Sequence, residues 1–266
     1  MKKLTTLLVT IAFLIPTPTS ALLTTGLLHY WKLDESSGDV ADSVGAITLT
    51  NTNTVGFGAA KINNGADFSG TNTNKSLKSS SAPGVGVGAM TMSGWINVTT
   101  DPASNVIYGL FTNVTNNSNQ PIGNQAYYWN VAGTKKLRYN RPPLGVGDSL
   151  IDYNVTLSTA TWYHVVIVYD GSNQSLYLDG TLVAGPTAQS GLGTDASSAN
   201  AVSIGARVQS GSTATFFSGK VDEVGLWDRA LTGSEITQLY NAGTGCQYSF
   251  AACTSATFPF FWSWDF

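Results

Sequence analysis

Residues 162–183 read WYHVVIVYDGSNQSLYLDGTLV, and this run constrains the fold more than any other stretch. Trp162–Tyr169 is apolar on both faces and rich in β-branched and aromatic residues, as a central strand should be. SLYL and TLV then flank Asp179–Gly180, a pair that tolerates the positive φ of a two-residue hairpin turn. Residues 89–98, AMTMSGWINV, alternate instead. Met90, Met92, Ile96 and Val98 take one face and Thr91, Ser93, Trp95 and Asn97 the other, which predicts a strand with one buried face. Strands joined by short turns need a second sheet over their apolar faces, so the expected class is an all-β, two-sheet antiparallel sandwich. One short C-terminal helix is legible. Thr232-Gly-Ser-Glu235 is a capping box, Ile236, Leu239 and Tyr240 follow at helical spacing, and Gly243 can end the helix.

Composition narrows the function. Charged residues make up 11% of the chain, against about 25% in an average soluble domain, so solubility rests on Ser, Thr, Asn, Gln and glycine. A hydrophobic content of 42% is too high for disorder. A net charge of −3 lacks the basic footprint of a nucleic-acid binder or of a polybasic membrane anchor. The polar stretches 112–120 and 190–200 read as loops inside one domain, and no internal repeat is present.

Residues 1–21, MKKLTTLLVTIAFLIPTPTSA, place two lysines before an apolar run and end it with prolines and small residues. That is the build of a secretory signal peptide with cleavage expected after Ala21, too short to span a bilayer; the alternative is an uncleaved interfacial anchor. Its removal leaves 11 basic residues against 16 acidic ones and no spanning segment. The expected location is secreted or cell-surface. There the only cysteines, Cys246 and Cys253, read as one local disulfide, since their spacing matches no zinc pattern.

Five blocks then occur in order: LLHYWKLDESSGDVADSVG, GADFSG, MSGWINV, TWYHVVIVYDGSNQSLYLDGTLV and FFSGKVDEVGLWDRALTGSEITQLYNAG. Together they resemble a laminin G-like jelly-roll domain of the concanavalin A-like superfamily, over about Leu27 to Gly245. The organisation read from this is a signal peptide at 1–21, a β-sandwich at 22–250 and an aromatic tail at 251–266. The resemblance implies a jelly-roll sandwich, often with bound calcium, and a role in adhesion or glycan binding. One fold hosts many activities, so the functional step rests on analogy.

Acids gather in the first and last blocks, as Asp34, Glu35, Asp39 and Asp42, then Asp222, Glu223 and Asp228. Calcium takes six to eight oxygens. The loop DVADSVG offers carbonyls and the Asp42 carboxylate, and the resemblance sets the two blocks side by side. The expectation is one calcium ion shared by Asp42 and Asp222. The alternative is that these acids cap turns or pair with Arg229 or Lys220. Asp34 and Glu35 are expected to accept backbone hydrogen bonds in a tight turn.

Sugar recognition wants aromatic faces beside hydrogen-bonding groups. The stretch NQAYYWN, followed by Tyr139, Asn140 and Arg141, has that mixture. The candidate ligand-binding residues are Trp129, Tyr139 and Arg141, the last two expected at the surface beside a Pro-Pro turn. Tyr127 and Trp129 share one face of a strand and Tyr128 the other, a stripe that also fits packing between sheets.

Catalytic patterns are missing. The only glutamates are Glu35, Glu223 and Glu235, no Glu-x-Asp-x-Glu run or Gly-x-Ser-x-Gly elbow occurs, and His29 and His164 read as core histidines. The tail ATFPFFWSWDF must pack on the sandwich or dock on a partner, which includes self-association. The expected function is a non-catalytic binding or adhesion module whose partner is a glycan or surface glycoprotein. A structural subunit of a cell-surface or virion assembly is the alternative, and a glycoside hydrolase-like enzyme the third reading.

Overall fold

The computed structural model describes residues 21–70, 74–85, 88–117, 120–141, 149–189, 201–209, 212–251 and 253. The expectations placed on residues 1–20, on the loop 190–200 and on the tail 254–266 lie outside these residues. A helical turn α1 (Ala21–Thr24) precedes β1 (Leu27–Trp31), β2 (Leu49–Thr52), β3 (Gly56–Ala59), β4 (Asn64–Asp67) and β5 (Ser76–Ser79). Then come β6 (Met90–Val98), β7 (Ile107–Asn117), β8 (Gln120–Val131), β9 (Thr134–Asn140) and β10 (Leu150–Asn154). The chain continues through β11 (Trp162–Tyr169), β12 (Asn173–Leu178), β13 (Thr181–Ala188), β14 (Ala201–Ile204), β15 (Ala206–Gln209) and β16 (Ser212–Phe216). It ends on β17 (Gly219–Trp227) and α2 (Gly233–Tyr240).

The strands form a two-sheet antiparallel jelly-roll sandwich. One sheet runs β13-β12-β11-β6-β17-β4-β3, with β1 also paired to β17, and the other runs β10-β9-β8-β7-β14-β5-β2. β15 and β16 pair only with each other. The hairpin predicted at Asp179–Gly180 joins β12 to β13, with φ of 50° and 76° at the two turn residues. Between the sheets lie Val165, Ile167 and Tyr169 of β11, Met90, Met92, Ile96 and Val98 of β6, and Phe111, Tyr128, Tyr139 and Ile204 from the facing sheet.

The alternating strand β6 is buried on both faces rather than one. Its second face is covered by the chain beyond β17: Thr91 Oγ1 donates to the Arg229 carbonyl, and Trp95 stacks on Tyr240 of α2. A second apolar cluster forms there, where Leu23, Leu27 and Tyr30 meet Trp227, Ile236, Leu239, Cys246 and Phe250. The predicted capping box is present, with both reciprocal bonds of Thr232 and Glu235. Glu235 also pairs with Arg229. Asn241, in the left-handed region, caps the helix two residues before the expected Gly243. The stretch 112–120, expected as a loop, instead runs as strand through Asn117 and resumes at Gln120. Eight of its nine residues are Thr, Asn, Ser or Gln, and a polar strand in a low-charge protein carries the same composition as a loop.

Candidate functional site

The outer face of the seven-stranded sheet is built by strict alternation. Leu137 and Tyr139 of β9 and Ala126 and Tyr128 of β8 point into the core, so Lys136, Arg138, Tyr127 and Trp129 point away from it. Register then sets Tyr127 opposite Arg138 and Arg138 opposite Asp152 of β10. Arg138 grips Asp152 with two nitrogens at 2.5 and 2.7 Å, and Lys136 reaches the same carboxylate at 3.0 Å. Burial raises the Asp152 carboxyl, but the bonds from Arg138 and Lys136 outweigh it and hold Asp152 below its ordinary range.

The Arg138 guanidinium lies 4.6 Å from the Trp129 ring centre and 5.9 Å from that of Tyr127. Arg207 of β15 covers Tyr127 from another side at 5.3 Å and donates to Gln125 at 2.8 Å. β15 can approach because residue 109 of β7 is glycine: a Cβ there would sit 2.1 Å from the Arg207 backbone nitrogen. The face therefore offers a half-buried indole amid two arginines, a lysine and a carboxylate.

Of the three ligand-binding residues expected from sequence, Trp129 belongs to this face. Tyr139 and Arg141 were expected at the surface and are instead buried, at 0% and 1% exposure. Tyr139 shares the inward face of β9 with Leu137, and its hydroxyl donates to Asn124 at 2.7 Å. Arg141 donates to the same Asn124 oxygen at 2.8 Å and lies 4.0 Å from the Tyr169 ring centre. Sequence reasoning missed Lys136, Arg138, Asp152 and Arg207. Period two through Lys136-Leu137-Arg138 was the available signal for the first two.

The first and last acidic blocks do lie side by side, since β1 pairs with β17. Asp42 and Asp222, however, meet different partners. Asp42 accepts the backbone N–H groups of Tyr30, Val44, Gly45 and Ile47 and bonds His29 at 2.5 Å. Burial raises its carboxyl, but His29 and those N–H groups outweigh it and hold Asp42 at about 2. N–H donors occupy the positions a cation would need, so Asp42 is a turn cap and a calcium ion shared with Asp222 does not fit these contacts. Among the described residues no group of three His, Cys, Asp or Glu side chains converges as a metal site. Arg229 pairs with Glu235, and Lys220 donates to the Ala59 carbonyl.

Asp222 sits instead at a bulge in β17 with Glu223, whose φ is 53°. The extra residue lets Val221 and Val224 both face the core while the two acids avoid it. Asp222 accepts from Ile62 N at 2.8 Å, and Glu223 accepts from Tyr30 Oη and Gln247 Nε2, both at 2.5 Å. Gln247 also reaches Asp34 at 3.0 Å, and Asp34 accepts the Asn64 N–H while Glu35 accepts that of Ala41. Burial, helped by the neighbouring Glu223 charge, pushes Asp222 up to about 9. Burial likewise pushes Glu223 up to about 7, against the bonds from Tyr30 and Gln247.

The expected disulfide joins Cys246 to Cys253. His164 is buried, as expected of a core histidine, and bonds Ser93 at 2.8 Å. No described helix is long and apolar enough to cross a membrane. Among the described residues, one surface depression lies beside Ser36, Asp39 and Asn51 and another beside Thr99, Trp162 and Lys220, both away from the aromatic face.

Residues 69–237 match the Laminin_G_3 family of the concanavalin A-like lectin/glucanases superfamily. The chain belongs to this family. A search of curated protein sequences gives no match. Among solved structures, the binding domain of Paraclostridial Mosquitocidal Protein 1 is similar with a TM-score of 0.63 at 16% identity, over 83% of this chain and 53% of that one. The Botulinum Neurotoxin serotype G binding domain gives 0.60 at 13%, over 80% and 50%. Trypanosoma rangeli sialidase in complex with sialic acid gives 0.61 at 17%, over 82% of this chain and 33% of the sialidase. The chain thus spans about half the toxin domains and a third of the sialidase. The superfamily member shares its fold with binding domains and with parts of an enzyme alike, and identities this low show the fold alone.

Proposed function

We propose that the chain is a non-catalytic, extracellular carbohydrate-binding module whose ligand, a glycan or surface glycoconjugate, docks on the outer face of the seven-stranded sheet. The observation that carries this reading is Trp129. It is a half-buried indole beside Lys136, Arg138 and Asp152, the pairing of aromatic surface and fixed polar groups that orients a small polar ligand. Two of the similar structures are binding domains, and the third holds sialic acid. Action without catalysis is supported by the acids. Among the described outward positions of β8, β9 and β10, Asp152 is the one carboxylate, and two-carboxylate glycosidic cleavage, the commonest kind, needs a pair. The disulfide suits an oxidising compartment.

The test is a glycan array probed with the full chain and with Trp129→Ala. Binding by the full chain that falls at least tenfold in the variant is expected. An array on which the two proteins give identical profiles would remove this face from the reading.

A further inference from the structure

On the outer face of the eight-stranded sheet one cross-strand row is covered and the next is not. His164 of β11, Trp95 of β6 and Asp222 of β17 stand side by side in register. All three are buried, at 1%, 2% and 0% exposure. Tyr240 of α2 stacks on Trp95 with ring centres 5.7 Å apart, and a Cβ at Gly245 would lie 3.3 Å from the indole nitrogen. Two residues further along each strand, about 7 Å, stand Trp162, Asn97 and Lys220, again paired in register. These three are only half-buried. With Ala59, Thr99 and Thr159 they border a cleft of about 310 Å³.

The cleft presents an indole beside an ammonium. Lys220 Nζ donates one hydrogen to the Ala59 carbonyl at 3.0 Å and keeps two more. Asp67, opposite Lys220 on β4, is turned to Ser69, whose N–H and hydroxyl both bond its Oδ1. A second ammonium, that of Lys61, lies 4.4 Å from the Trp95 ring centre. The complement of this surface is an aromatic ring next to a carboxylate.

The chain carries that complement itself. Residues 254–266 hold four phenylalanines, Trp262 and Trp264, and their single charged side chain is Asp265, between Trp264 and Phe266. They follow directly on Cys253, whose carbonyl accepts from Gln238 Nε2 at 2.6 Å. Gln238 lies two residues from Tyr240, and the cleft begins one step beyond the indole that Tyr240 covers. From Cys253 to Trp264 the backbone can extend about 36 Å, several times the length of that step. We propose that the cleft at Trp162 and Lys220 receives this chain's own segment 262–266, with the Trp264 ring on Trp162 and the Asp265 carboxylate on Lys220. Seated there, the segment covers the row that α2 leaves open, while the Trp129 face of the opposite sheet stays free for a ligand.

The experiment pairs engineered cysteines in the full chain, whose native cysteines are already joined to each other. Thr159→Cys with Phe266→Cys puts one thiol at the cleft and one on the segment. Thr52→Cys with Phe266→Cys is the control, since Thr52 is exposed on an edge strand of the other sheet. After air oxidation, peptide mapping of the monomer should show the Thr159 pair bonded within one chain at least about tenfold more than the Thr52 pair. Equal yields, or free thiols at 159 and 266, would overturn the proposal. A bond found only between two chains would also overturn it and make a second copy the occupant. A charge exchange tests the contact itself by thermal melting. Lys220→Glu and Asp265→Lys should each lower the melting temperature by about 2 °C, and the two together should restore it. A double variant that melts at the sum of the two losses would overturn the pairing of Asp265 with Lys220.

Discussion

Replacing Glu223 by glutamine should remove a defined part of the pH dependence of stability. Tyr30 and Gln247 enclose this carboxyl beside Asp222, and burial lifts it from its ordinary 4.5 to about 7. The folded chain then holds the proton more tightly than the unfolded chain. That contribution is complete below pH 4.5 and is lost as pH rises through 7. At 1.36 kcal/mol per unit, the full loss is about 3 kcal/mol. His164 works in the opposite sense, since burial pushes its imidazole down to about 3. Its contribution is present above pH 6.5 and is lost as pH falls toward 3. Asp222, also raised by burial, adds to the Glu223 trend, so the wild-type curve alone does not separate these contributions, but the difference between wild type and Glu223→Gln isolates Glu223 together with its coupling to Asp222. Glutamine keeps the volume and an acceptor for the Tyr30 hydroxyl. Urea unfolding of both proteins at pH 4.5, 5.5, 6.5 and 8 should show the variant gaining about 3 kcal/mol on the wild type across that range. Parallel curves with a constant gap would refute the burial argument.

Asp42→Ala removes the acceptor of four backbone N–H groups and the partner of His29. It should cost about 3 kcal/mol, equally in calcium and in chelator by thermal melting; a loss confined to calcium would restore the ion. Gly109→Ala puts a methyl into the Arg207 backbone and should cost about 2 kcal/mol, with faster amide exchange in β15 reporting the displaced strand. Serine at both Cys246 and Cys253 opens a short loop and should cost about 2 kcal/mol. Wild-type protein in reductant should melt at the same temperature as that variant.

What could be read from the sequence was local. The strand Trp162–Tyr169, the Asp179–Gly180 turn and the Thr232 capping box each depend on residues within a few positions of one another, and each is present. The Pro-Pro turn beside Tyr139 points to the surface, but its period-two relation to Leu137 sends it inward. The burial of Asp222 and Glu223 depends on a bulge that no local pattern announces. That Ser203, Thr112, Gln125 and Asn140 stand side by side on four neighbouring strands is likewise a matter of register. Alternation assigns each residue a face, but only pairing across 91 positions brings Ser203 beside Thr112. Arg207 escaped notice for the same reason, since its partners Gln125 and Tyr127 lie on a strand of the other half of the chain.

β17 is the last of the described strands in sequence, yet it lies between β6 and the pair β1 and β4. During synthesis the larger sheet therefore exists as unjoined pieces until residues 219–227 leave the ribosome. β1 waits unpaired for roughly 10–40 s at ordinary elongation rates, while β6 shows an open edge along most of its length. Such an edge is a template for pairing with other chains. A nascent chain stalled before Gly219 should therefore be far more prone to aggregate than one stalled just after Trp227, because only the later one has both edges of β6 covered.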